Sequence, residues 1–194
     1  MTRFILISIV FLSAFRAGAQ GLTLPVDERG VHTFLEVSKL GLTDREKVSE
    51  NVKRFFKTNA KSLKLRSSKG DTAFTGTGKM ILSKSTAGIG HPVAEVNYNI
   101  AIDLKDEKYR VILTDYIVTL YERDRYANFV PTTAKYRLED KPGKLNRSEW
   151  EGNMKLISAE SAKLSEKLKV IMSSVHGGDK PDSKEPAAIS TKKW

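Results

Sequence analysis

Three histidines, no cysteine and 23 acidic residues are the groups from which this chain would have to build a metal or acid–base site. His32, His91 and His176 lie far apart, and none has a second ligand at metal spacing, so no metal is expected. The absence of cysteine removes disulfides, thiolate chemistry and a lipid-modified cysteine. A phosphate-binding loop needs a glycine, four residues, then Gly-Lys-Ser/Thr. Gly78-Lys79 is present, but position 73 is Ala and position 80 is Met, so no nucleotide cofactor is expected. There is no G-x-S-x-G elbow, and the one S-x-x-K, Ser190 to Lys193, falls in a polar tail that could not hold its geometry. Asp103 with Asp106, or Asp115 with Glu122, are the pairs a glycosidase-like mechanism would use. Acids at turns and strand ends are more often simply solvated, and no catalytic residue is assigned.

One stretch mixes groups that recognise rather than react. Between Tyr121 and Arg137, the rings of Tyr121, Tyr126, Phe129 and Tyr136 alternate with Arg123, Arg125, Lys135 and Arg137, a combination that stacks on sugars or bases. Without clear periodicity, residues 122–146 read as a long irregular loop whose aromatics anchor it to its own domain.

The element that organises the chain is a β-hairpin from Val93 to Tyr121. Val96, Tyr98, Ile100, Ile102 and Leu104 are apolar at every second position, with Glu95, Asn97, Asn99 and Asp103 between them, the period of a strand with one buried face. With Asp106-Glu107 as the turn, Leu104 faces Tyr109, Ile102 faces Val111, Ile100 faces Leu113, Tyr98 faces Asp115 and Val96 faces Ile117. Asp115 is the one misfit on that core face. On the other face Asp103 meets Arg110 as a cross-strand ion pair and Asn97 meets Tyr116. Ile112, Tyr116 and Val118 then stand beside Asn97 and Asn99, more apolar surface than a solvated sheet needs. Asn97, Asn99, Arg110, Ile112, Tyr116 and Val118 are therefore the candidate binding residues.

Around the hairpin, Val31 to Val37 reads as a first strand, with Val31, Thr33, Leu35 and Val37 on one side. Thr43-Asp44-Arg45-Glu46 is a capping box that opens a helix with Val48, Val52, Phe55 and Phe56 as its apolar stripe. A short strand at Leu63 and Leu65 precedes an alternating run from Asp71 to Ser83. There Gly76 and Gly78 share the core-facing row and imply close approach of a helix. Ser85 to Pro92 reads as a loop. A second capping box, Ser148-Glu149-Trp150-Glu151, opens a helix to Ser174 with Met154, Ile157, Leu164, Leu168, Ile171 and Val175 on one stripe.

The ends read differently. Arg3, the apolar run Phe4 to Phe15 and Ala17-Gly18-Ala19 follow the order of a secretory signal peptide, and twelve residues at ~1.5 Å each fall short of a ~30 Å hydrocarbon core. Residues 1–20 are thus the expected leader, cleaved near Ala19. Residues 21–175 are one domain and 176–194 a disordered tail with two prolines and mixed charge. The mature chain, with no transmembrane segment, is expected to be periplasmic or secreted. Its formal charge of +10 falls by two when Arg3 and Arg16 leave, and the excess attracts anions in general, although export makes nucleic acid an unexpected partner.

The order strand, helix, several antiparallel strands, long C-terminal helix resembles the exported bacterial DUF4468 family. The residues that carry the likeness are L-T-L-P-V-D-E-R-G-V-H-T-F from Leu22, the capped helix with Phe55-Phe56 and K-D-E-K-Y-R-V-I-L-T-D-Y from Lys105. The resemblance implies an α+β, TBP-like fold, a curved antiparallel sheet with two helices packed on one face. It brings no established activity and no functional residues. The expectation is a non-enzymatic binding or interaction module using the helix-free sheet face, its partner an envelope protein, a glycan or a small ligand. The alternatives are an enzyme acting on envelope glycan through the 121–137 segment and a self-assembling structural subunit.

Overall fold

The computed structural model describes residues 24–40, 44–86, 89–140 and 142–174. The expected leader and tail, Thr43 and Val175 lie outside the described residues. The strands are β1 (Phe34–Lys39), β2 (Leu63–Lys69), β3 (Ala73–Thr86), β4 (Ile89–Lys105), β5 (Lys108–Arg123) and β6 (Phe129–Arg137), and the helices α1 (Arg45–Thr58) and α2 (Arg147–Ser173). The strands form one curved, open antiparallel sheet in the order β1-β5-β4-β3-β2, with β6 also paired to β5. Both helices pack on one face, so the fold is α+β as expected.

The β4–β5 hairpin is the spine. Asp106 takes φ +52° in the turn, a left-handed conformation that Asp tolerates better than most residues and that substitutes for the missing glycine. From Lys105↔Lys108 to Ile100↔Leu113 the register is the one read from the sequence, and Arg110 Nη2 donates to Asp103 Oδ2 at 2.7 Å. Beyond Asn99↔Thr114 the pairing resumes at Asn97↔Ile117, because Asp115, at φ +56°, is an extra residue in β5. This β-bulge corrects the predicted pairs of Tyr98 with Asp115, Val96 with Ile117 and Asn97 with Tyr116. A one-residue insertion reverses which side chains face inward. Before it Tyr109, Val111 and Leu113 are buried; after it Tyr116 and Val118 are, at 0% exposure each.

The bulge lies where two strands share one edge of β5. β1 pairs with Lys108 to Leu113 and β6 with Ile117 to Arg123. β6 occupies part of the segment read as irregular, and the turn before it is tied by Asp124, whose carboxylate accepts from the backbone N–H of Tyr126 and of Asn128 at 2.8 Å each. β1 begins later than expected, after an isolated Val26↔His32 bridge. Its Leu35 and Val37 turn away from the helices, while Phe34 packs toward the core. The segment read as a loop from Ser85 to Pro92 instead carries the ends of β3 and β4, with Val93 left as the extra residue between Leu82↔Ala94 and Ser83↔Pro92.

The core lies between sheet and helices. α1 is capped by Asp44, whose Oδ1 accepts from the N–H of Glu46 at 3.1 Å, and buries Val48, Val52, Phe55 and Phe56 as its stripe. α2 begins at Arg147, with Asn146 as its N-cap residue, rather than at the predicted Ser148 box. Its 27 residues span about 40 Å at ~1.5 Å each. Its inward stripe holds Met154, Ile157 and Leu168, with Ser158, Ser161 and Ser165 buried between them. The glycines explain how close the layers come. A Cβ on Gly76 would stand 2.7 Å from the Phe56 ring of α1, the helix approach expected, whereas the space over Gly78 is filled by the Tyr98 ring from β4.

Candidate functional site: the bare face of the sheet

Alternation places one set of side chains on the face that the helices leave bare. Reading across the strands, one row runs Ser67, Thr75, Ala101, Ile112, Leu35, and the next runs Lys64, Thr77, Asn99, Thr114. Beyond the bulge follow Lys79, Asn97, Ile117, Arg137 and then Ile81, Glu95, Thr119, Lys135. Of the predicted binding residues, Asn97, Asn99, Arg110 and Ile112 are brought together on this face. Tyr116 and Val118 are not. The bulge turns both into the core, where the Tyr116 hydroxyl lies 3.1 Å from Ser161 Oγ of α2 and its ring 6.1 Å from that of Tyr98. Burial pushes both tyrosine hydroxyls above their ordinary ionisation range.

The face has two characters. At the β1 end it is apolar: Leu35 and Val37 are 53% and 54% exposed, with Ile112 and Ala101 beside them. Toward the middle it becomes a trough of about 570 Å³, walled on the β2 side by Lys61, Lys64 and Arg66 and floored by Thr77, Asn97 and Ile117. Asp115 is the hub at its far side. Its carboxylate accepts from Thr114 Oγ1 at 2.7 Å and Asn99 Nδ2 at 2.9 Å, and Arg137 stands 3.9 Å away. Those hydrogen bonds, with Arg29 and Arg137 nearby, hold its carboxyl below the usual carboxylate range.

Ile117, Leu35, Val37, Lys64 and Arg66 were missed as face residues. The misfit of Asp115 on the predicted core face was the one signal in the sequence that the register must change there.

The aromatics of the 121–137 segment are divided: Tyr126 is 76% exposed with the Arg125 guanidinium 6.0 Å from its ring centroid, and Phe129 is 38% exposed with that of Arg123 at 5.9 Å. Tyr136 is half-buried, its hydroxyl accepting from Asn153 Nδ2 at 3.1 Å, and Phe129 stacks on His91 with 5.3 Å between ring centroids. A smaller hollow of about 380 Å³ lies between β6 and the start of α2, lined by Tyr136, Asp140, Glu149 and Trp150 among others. Asp140 there accepts from the N–H of Arg137 at 3.0 Å, and Trp150 Nε1 donates to the Leu138 carbonyl at 3.1 Å. Among the described residues no three His, Asp or Glu side chains gather at metal-binding distance, and no helix is long and apolar enough to cross a membrane.

An antiparallel sheet with one face under two helices and the other bare is the architecture of TBP-like α+β proteins. Two solved structures share it. A DUF4468 family protein from Bacteroides ovatus superposes with a TM-score of 0.60 at 15% identity, over 80% of this chain and 92% of that one. A TBP-like protein from Parabacteroides distasonis does so with a TM-score of 0.58 at 12% identity, over 77% of this chain and 96% of that one. The resemblance read from the sequence is thus borne out as a likeness of fold. No known family profile matches the sequence, and no curated protein matches it.

Proposed function

We propose that this chain is a non-enzymatic binding module of the bacterial cell envelope, exported by its N-terminal leader, and that the bare sheet face holds the bound component. The supporting observation is the set of large aliphatic side chains on that face. Leu35, Val37, Ile81 and Ile117 are each more than two-fifths exposed, in a sheet whose other face carries the core. On an antiparallel sheet with one solvated face those positions are ordinarily polar. Leu35 and Val37, with Ile112 beside Leu35, form the apolar end of the face, while Ile81 and Ile117 stand singly among its polar side chains; an exposed apolar patch of that kind marks a surface for interaction.

A photo-crosslinking residue placed at Ile112 or Ile117, compared with one at Val170 on the outside of α2, tests the reading in intact cells. Val170 is 67% exposed and far from the face, so it reports chance encounters. Discrete adducts from the two face positions and none from Val170 are expected. Equal or absent adducts from all three would overturn the assignment.

A further inference from the structure

The trough on the bare face has an uneven distribution of charge. Both of its carboxylates are engaged: Glu95 lies 3.2 Å from Lys79 Nζ, and Asp115 is held by Thr114, Asn99 and Arg137. The opposite wall is different. Lys61, Lys64 and Arg66 have no carboxylate within 4.0 Å among the described residues. Cations on an edge strand serve to discourage pairing with another chain, and β2 is such a strand, bulged at Arg66. That role needs only that the charges be exposed. It does not account for Arg66, whose Nε donates to Thr77 Oγ1 at 3.3 Å and so lies back over the sheet, nor for Lys64, which shares the bare-face row of Thr77 and Asn99.

We infer that this trough binds an anionic, hydroxyl-rich ligand, a sugar acid or sugar phosphate unit of a larger acidic glycan. Its negative group meets Lys61, Lys64 and Arg66, and its hydroxyls meet the Asn97 amide and the Thr77 hydroxyl. Amide and hydroxyl groups both donate and accept, which suits a ligand hydroxyl that does the same. Arg66 offers a planar pair of donors that fits a carboxylate or a phosphate oxygen pair. Ile117 supplies an apolar floor for the carbon face of a ring. The trough is open rather than enclosed, so affinity comes from several units of a polymer engaged together rather than from one. This inference rests on the bare face being the binding face and adds the chemistry of what it holds.

The test is an NMR titration of the full chain with three probes: a trimer of galacturonate, with its monomer for comparison, glucose 6-phosphate and neutral maltotriose. The backbone amides of Thr77, Asn97 and Asn99 report the site. Saturable shifts with one or both anionic probes, and none with maltotriose, are expected, the trimer binding more tightly than galacturonate monomer if several units engage together. The Lys64→Glu/Arg66→Glu variant changes two exposed side chains. It should keep the remaining spectrum while weakening binding about tenfold or more, and added salt should weaken the wild type in the same direction. Equal binding of maltotriose, unchanged binding by the variant, or no saturable shift with either anion would overturn the inference. If the anions fail while face-specific crosslinks persist, only the ligand chemistry is wrong. If both fail, the face itself is.

Discussion

Replacing Tyr116 separates two accounts of β5 that differ by a single residue of register. In a hairpin paired without interruption Tyr116 stands on the solvated face, and its truncation costs within about 0.5 kcal/mol, the usual range for surface positions. With the Asp115 bulge it is fully buried, its ring against Tyr98 and its hydroxyl 3.1 Å from Ser161 Oγ, itself at 0% exposure. Tyr116→Ala then removes a buried aromatic ring and leaves a cavity between sheet and α2, a change worth about 3–5 kcal/mol. That is a large share of the ~5–15 kcal/mol that typically holds a domain together. Tyr116→Phe keeps the ring but strands the Ser161 hydroxyl in the core, at about 1–2 kcal/mol. Urea unfolding followed by circular dichroism, with Ile112→Ala as a half-buried comparison from the bare face, should give the order Tyr116→Ala, then Tyr116→Phe and Ile112→Ala well below it. A loss under about 1 kcal/mol for Tyr116→Ala would refute the bulge and the inward position of Tyr116 and Val118.

Two further predictions concern the site's supports. Because hydrogen bonding and nearby arginines depress the Asp115 pKa in the folded state, its contribution is present above the unfolded carboxylate value of about 4 and is lost as pH falls through the lower folded value. Urea midpoints measured from neutral pH down to about 3 should show that acid loss reduced in Asp115→Asn, a residue that also tolerates the positive φ; an identical pH profile would contradict the hub. Gly78→Ala places a methyl group against the Tyr98 ring and should lower stability by about 1–3 kcal/mol on thermal melting, with a neutral result arguing against that contact.

How much of this was legible in the sequence depended on whether strict alternation held. The turn at Asp106-Glu107, the Asp103–Arg110 ion pair and the inward row from Val96 to Leu104 follow from a period of two, and the structure keeps them. Asn97 and Asn99 were found for the same reason. The pattern fails wherever a strand gains a residue. At Asp115 the period continues on paper while the faces exchange, which put Tyr116 and Val118 on the wrong side. β6 escaped notice because its pairing shifts between Thr119 and Tyr121 and includes Pro131, so no single alternation runs through it. Lys64 and Arg66 belong to the site only because β2 lies beside β3 and bends at Arg66, a consequence of topology that local spacing does not carry. Ser158, Ser161 and Ser165 of α2 are absent from the apolar stripe read from the sequence, since a serine carries no hydrophobic signal and its burial shows only once the sheet is placed against it.

The central claim, that the bare face is covered when the protein is at work, is most directly tested by thiol labelling. The chain has no cysteine, so single substitutions at Leu35, Ile117 and Val170 report without background. In purified protein all three should label readily, since all are more than two-fifths exposed. In the native envelope, the account predicts that Leu35→Cys and Ile117→Cys label about tenfold more slowly while Val170→Cys is unchanged, as burial under a bound component would require. Equal labelling of the two face positions in purified protein and in the envelope would contradict it.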